Sequence, residues 1–125
     1  MKETASLWLM NKSGEFLLQF RSPNMRNNPN TWGNGAGGGI DAGETSLDAI
    51  VRETREELGL EIPPQDFVFL GEFFDTSNPD REKHLWLYFA QGDWKISDIK
   101  IQESEITKVK FATLSEIKEM IGTPI

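Results

Sequence analysis

The stretch Gly38–Leu60, GGIDAGETSLDAIVRETREELGL, brings two glycines, Glu44, and then Arg52, Glu53, Glu56 and Glu57 into one short span. A helix is expected to open at Thr45 or Ser46, with Asp48 completing a capping arrangement, and to close at Gly59 with Pro63 and Pro64 beyond. At about 100° per residue, Leu47, Ile50, Val51, Thr54 and Leu58 share one arc, whereas Glu53, Glu56 and Glu57 share another. The helix therefore reads as core on one side and carboxylate on the other. Like charges three and four residues apart repel by about a few tenths of a kcal/mol per pair. Arg52 can pair with Glu56 one turn on, but a single guanidinium cannot neutralise three carboxylates. A hard divalent cation can, since Mg²⁺ takes one or two carboxylates together with waters and substrate phosphates.

Ahead of the helix, Gly35, Gly37, Gly38 and Gly39 open backbone angles closed to other residues and let a ligand approach the main chain. Alone, such a loop also serves as a flexible connection, and RETREELG alone also describes a salt-bridged surface helix. Their combination is what carries information.

Working outward, ASLWLM, NKSG and EFLLQFR read as a hairpin around a polar turn. Ser22–Gly39, rich in Pro, Asn and Gly, reads as a loop that excludes a long helix or a central strand. FVFLGEFF and HLWLYFA read as strands, and LSEIKEMI as a short closing helix. Strands around a central helix imply an α/β chain with a mixed sheet flanked by helices. In HLWLYFA, alternation puts His84, Trp86 and Tyr88 on one face and Leu85, Leu87 and Phe89 on the other. One face is expected in the core; the other either lines a pocket or is covered as well.

With 125 residues, the chain is expected to form a single domain over 1–125, large enough for a core without staples. The absence of cysteine removes disulfides, thiolate metal sites and a cysteine nucleophile. MKETASLWLM suits a strand better than a signal peptide, and no segment approaches the roughly 20 apolar residues of a membrane span. A cytoplasmic protein with no membrane partner is the expectation. A net charge of −7 argues against holding a nucleic acid polymer by charge alone, and an anionic ligand would need a cation to mediate.

Gly38, Glu44, Arg52, Glu53, Glu56, Glu57 and Gly59 match the spacing of the Nudix box: glycine, five residues, Glu, seven residues, then Arg-Glu-apolar-any-Glu-Glu-any-Gly-apolar, with Leu60 in the last slot. Thr54 departs from the usual bulkier aliphatic, yet lies on the core arc with a methyl to pack. At about 7% abundance per fixed type, such a match arises by chance in a chain of this length on the order of once per million. The chain thus resembles the Nudix (MutT-like) hydrolases. The resemblance implies the Nudix fold, an α/β/α sandwich, and Mg²⁺- or Mn²⁺-dependent hydrolysis of a nucleoside diphosphate linked to another group.

By the same resemblance, Glu53, Glu56 and Glu57 stand as metal ligands with the Gly37 carbonyl, Arg52 as the residue orienting those carboxylates, and Glu44 as a brace or outer carboxylate. The general base falls to Glu56, Glu57 or a loop carboxylate. Glu105, next to Glu103 in ESEITKVKF, resembles the latter, although a solvated surface is the simpler reading of both. RSPNMRNNPNTWGNGAGG resembles the branch similar to isopentenyl diphosphate isomerase. Arg21 and Arg26 could then touch substrate phosphates or simply be solvated, Trp32 could stack on a base or plug the loop, and Gly38 would lie against substrate. That isomerase needs a loop cysteine, and the position aligns with Gly37. The expected partner is a small-molecule diphosphate and the expected assembly a monomer or homodimer; the alternatives are a catalytically silent Nudix-fold binding or regulatory domain and, less readily, the isomerase.

Overall fold

A computed structural model describes residues 1–25 and 30–121. Its elements are β1 (Lys2–Met10), β2 (Phe16–Arg21), β3 (Trp32–Asn34), β4 (Ala36–Gly39), α1 (Ser46–Leu58), β5 (Val68–Asp75), β6 (Lys83–Gln91), β7 (Ile106–Ala112) and α2 (Leu114–Ile121). Among the described residues no helix is long and apolar enough to cross a membrane.

The turn after β1 forms because Asn11 Oδ1 accepts from the backbone of Ser13 and Glu15, while Gly14 takes a φ of 80°. The hairpin holds only at its base. Met10 faces Phe16, and then the strands part. β1 takes β4 as its antiparallel neighbour, Thr4–Leu7 against Gly39–Ala36, with β6 running parallel on its other side. β2 lies between β3 and β7, both antiparallel to it. The result is a mixed sheet of order β3-β2-β1-β6-β5, with β4 added on β1 and β7 on β2.

The expectation that Ser22–Gly39 is loop throughout is therefore corrected: it contains β3 and the glycine strand β4. Ladder bonds need only main chain, and tight approach favours the missing side chains. A Cβ at Gly37 would lie 2.9 Å from the Ala5 carbonyl oxygen, and one at Gly35 3.2 Å from that of Leu7. Glycine's low strand propensity yields here to packing.

Alternation along β1 divides the core. Ala5, Leu7 and Leu9 pack with Leu17, Ile50 and Leu58 on the α1 side, where each fully buried Leu or Ile contributes about 2 kcal/mol. Trp8 packs with Phe16, Leu18 and Ile117 of α2 on the other side. Helices on both faces give an α/β/α sandwich, the architecture that the resemblance implies.

α1 begins as its sequence implies: Thr45 Oγ1 accepts from the Asp48 amide at 3.0 Å, and Asp48 Oδ2 from the Thr45 amide at 3.1 Å. It ends at Gly59, whose φ of 68° is the left-handed cap that glycine accepts without strain. Thr54 is fully buried, and its hydroxyl donates to the Ile50 carbonyl at 2.6 Å, so no polar atom is stranded there.

Candidate active site

Where β1 and β2 part, the side chains of Glu53 and Glu57 emerge from α1 between Gly38 of β4 and Gln19 of β2. Both border a cleft of about 720 Å³. Its floor includes Thr4 and Ser6 of β1 and Leu85 of β6, the residues that alternate away from the α1 core. A cleft of this size suits a small molecule.

Glu57 is only 3% exposed. It follows Ile50 by two helical turns, which carries it to the margin of the apolar arc rather than out to solvent. Gln19 Nε2 donates to Glu57 Oε1 at 3.1 Å and also to the Gly35 carbonyl at 3.2 Å. Glu57 Oε2 has no hydrogen-bond partner among the described residues. Burial above all, then the hydrogen bond and charge of Glu53, push the Glu57 carboxyl up to about 9, against the donation from Gln19, which lowers it. The Glu57 carboxyl is thus held well above the ordinary carboxylate range.

Gly38 is the cradle of Glu53. A Cβ at this position would fall 2.5 Å from the Glu53 carboxyl carbon. The same carboxylate accepts from Arg52 Nη1 at 2.8 Å. Arg52 binds Glu44 with two parallel hydrogen bonds, Nε to Oε2 at 2.8 Å and Nη2 to Oε1 at 3.0 Å. It also donates to the Gly39 carbonyl at 3.1 Å and to Glu56 Oε2 at 3.2 Å. One guanidinium therefore ties the glycine strand, the loop before the helix and two carboxylates of the helix together. Hydrogen bonding from Arg52, then from the Asp41 backbone amide, holds the Glu44 carboxyl down at about 2, and Glu44 raises the Arg52 pKa still further above its ordinary value.

Glu53, Glu57, Gly37 and Gly38 thus border one cleft together with Arg21, Trp32 and Glu105. Glu56 does not border it: its carboxylate, 44% exposed, turns to Arg52. Among the described residues no three acidic or imidazole side chains form a ready-made metal cage. The donor set nonetheless fits a hard divalent cation. A buried carboxylate oxygen without a donor adjoins a second carboxylate and a glycine strand with no side chains to screen its main chain. Glu57 would have to release its proton to hold such a cation.

Trp32 packs edge-on to Phe20 with ring centroids at 5.0 Å and lies under the Lys110 ammonium at 4.3 Å. Glu105 adds to the rise in the Glu57 pKa through its charge, while Glu103 is exposed and does not border the cleft. Arg26 lies outside the described residues. His84, considered above as part of a pocket wall, faces away from this cleft, which takes Leu85 instead. Its Nδ1 lies 2.8 Å from Glu3 and its Nε2 2.9 Å from Glu72.

Sequence reasoning missed Gln19, Thr4, Lys2 and Lys83. Gln19 had a visible signal, a polar residue inside the apolar run FLLQF. Thr4 Oγ1 is a second buried atom without a partner, and it belongs to the cleft floor. Lys2 and Lys83 sit side by side across β1 and β6 at the cleft rim, a pairing that only the sheet register creates.

A family model described as the NUDIX domain matches residues 2–124. An uncharacterised Nudix hydrolase of Listeria monocytogenes is 30% identical over 112 residues, covering 90% of this chain and 63% of its own length. An isopentenyl-diphosphate Delta-isomerase of Escherichia coli is 27% identical over 114 residues, covering 90% of this chain and 62% of its own length. The chain thus spans a little under two thirds of these curated relatives. A MutT protein of Methanosarcina mazei has a crystal structure that superposes with a TM-score of 0.82 at 24% identity, over 98% of this chain and 84% of that one.

Proposed function

This chain belongs to the NUDIX domain family, and from that premise we propose that it hydrolyses a diphosphate bond in a nucleotide or related small molecule, using Mg²⁺ or Mn²⁺. The observation that carries this reading is the buried Glu57 carboxyl, held against Glu53 at the edge of the cleft with one oxygen left without a donor. Glu53 and Glu57 would hold the cation with the Gly37 carbonyl, and Glu56 would join them from the Arg52 side. When bound, the cation neutralises phosphoryl oxygens and acidifies a water. Arg52 orients the carboxylates of Glu53 and Glu56, and Glu44 fixes Arg52. Glu105, which borders the cleft, would be the side chain that takes a proton from attacking water. Arg21, Lys2 and Lys83 would hold substrate phosphates, with Trp32 and Leu85 as the apolar wall.

The isomerase relatives raise a second reading, but no residue here supplies a thiol. Its position falls on Gly37, where any side chain would meet the Ala5 carbonyl. Phosphate release measured over nucleoside triphosphates, ADP-ribose, nucleotide sugars and dinucleoside polyphosphates tests the hydrolase. Turnover that needs Mg²⁺ or Mn²⁺ and disappears in Glu57→Gln is expected. No release from any substrate, while a nucleotide still binds, would replace this reading with a non-catalytic binding domain.

A further inference from the structure

Lys2 and Lys83 face each other across β1 and β6, and Thr4 with Leu85 forms the next pair on the same face of the sheet. All four line the cleft. The two lysines also border a second hollow of about 490 Å³, whose remaining wall is Met1, Pro79, Asp80, Arg81 and Glu82. The lysine pair is therefore the sill between two cavities. The outer wall is held by main chain: the Lys2 amide donates to the Glu82 carbonyl at 3.1 Å, and the Arg81 amide to the Asn78 carbonyl at 2.9 Å. Asn78 Oδ1 accepts from the Asp80 amide at 3.0 Å.

The polar groups along this path are uncommitted. Among the described residues Lys2, Lys83 and Arg81 close no ion pair. Asp75, the register partner of Lys83, accepts instead from Ser77 Oγ at 2.6 Å. Lys2 also reaches inward. A Cβ at Gly39 would lie 3.3 Å from Lys2 Cε, so the lysine stem crosses Gly39 next to the Gly38 cradle of Glu53. Thr4 Oγ1, buried on the cleft floor, has no hydrogen-bond partner among the described residues, and a buried hydroxyl of this kind calls for a ligand or water.

We infer that the outer hollow is a subsite for a sugar carried on the far phosphate, so that the substrate is a nucleoside diphosphate sugar. This rests on the hydrolase reading, which seats the diphosphate beside Glu53 and Glu57. A phosphate chain leaving that position meets the Thr4 hydroxyl and the two ammonium groups, and its far substituent enters the hollow. There the carboxylates of Asp80 and Glu82 oppose a further phosphate. Among the described residues no aromatic ring lines the hollow to stack a second base, and Met1 and Pro79 offer a prenyl chain little apolar surface. Arg81 and the lysines donate while Asp80 and Glu82 accept, a combination that hydroxyl groups, donors and acceptors at once, satisfy.

Calorimetry with Mg²⁺ tests this, using methylene-bridged analogues that resist cleavage: those of ADP-ribose and UDP-glucose, each against the analogue of its own nucleoside diphosphate. At least one sugar-bearing analogue should bind about tenfold or more tightly than its sugar-free counterpart. Arg81→Ala and Asp80→Ala, changes at exposed positions of a turn, should bring that ratio toward one, a readout that a general loss of phosphate binding does not move. A ratio near one in the wild type, no binding of either sugar-bearing analogue, or a ratio unchanged in both variants overturns the subsite, as does tighter binding of the matching dinucleoside analogue. Absence of phosphate release from every substrate would strike the hydrolase reading alone, because these analogues report binding without turnover.

Discussion

Gln19 Nε2 reaches Glu57 Oε1 at 3.1 Å across 38 positions of sequence, joining the strand β2 to the carboxylate side of α1. This is the contact that aims Glu57, because the glutamine is itself buried and anchored by the Gly35 carbonyl. Gln19→Leu strands both acceptors and removes the hydrogen bond that holds the Glu57 pKa down. Affinity for Mn²⁺ at neutral pH should fall about 10- to 100-fold. The pH at which the ion binds half-maximally should rise. Titration of Mn²⁺ at several pH values checks this, and an unshifted pH midpoint would remove Gln19 from the site.

Glu57 also ties stability to pH. Its pKa rises from 4.5 to about 9 on folding, so between those values the folded chain holds a proton that the unfolded chain has released. Fewer protons bound in the unfolded state mean that stability falls as pH rises through this window. In chelator, Tm should therefore decline from mildly acidic to mildly alkaline pH, and Glu57→Gln should flatten the decline. Mg²⁺ or Mn²⁺ should restore Tm most at the alkaline end, where cation and proton compete least. Calorimetry with and without chelator measures all three slopes.

Gly38→Ala separates the fold from the site. The added methyl would meet the end of the Glu53 side chain, which can swing aside, and not rigid backbone. Stability should change by about 1 kcal/mol or less, while cation affinity drops about tenfold or more as Glu53 is displaced. Parallel thermal melts and Mn²⁺ titrations decide it; equal affinity would mean that Glu53 is not a ligand.

Arg52→Lys keeps the charge and loses the fork. A lysine cannot hold Glu44 by two parallel bonds while also reaching Glu53, Glu56 and the Gly39 carbonyl. A loss of about 2 kcal/mol in stability is expected from the broken charged hydrogen bonds, with a larger fall in kcat than in substrate affinity. Urea unfolding and steady-state kinetics on the same preparation test both parts.

The helix was legible because its signals are local. Thr45, Asp48 and Gly59 each act within one turn of chain, and the box lies in one continuous stretch with Arg52, Glu53, Glu56 and Glu57 on the helix. The strands FVFLGEFF and HLWLYFA declared themselves by their apolar runs. β4 did not, because its strand character comes from the backbone of β1 lying within reach of glycines. Propensity describes a residue's own preference, and here a neighbour supplied the ladder.

The sequence by itself determined the carboxylate face, its arginine and the glycines before them, since helical periodicity and motif spacing are properties of one continuous segment. Only the tertiary structure decided that Glu57 is buried while Glu56 turns outward, that Gln19 meets this segment and Lys83 lines the same cleft, and that β5 is left at an edge. Each of those outcomes depends on which strands become neighbours, and strand pairing is set by packing between residues far apart in the chain.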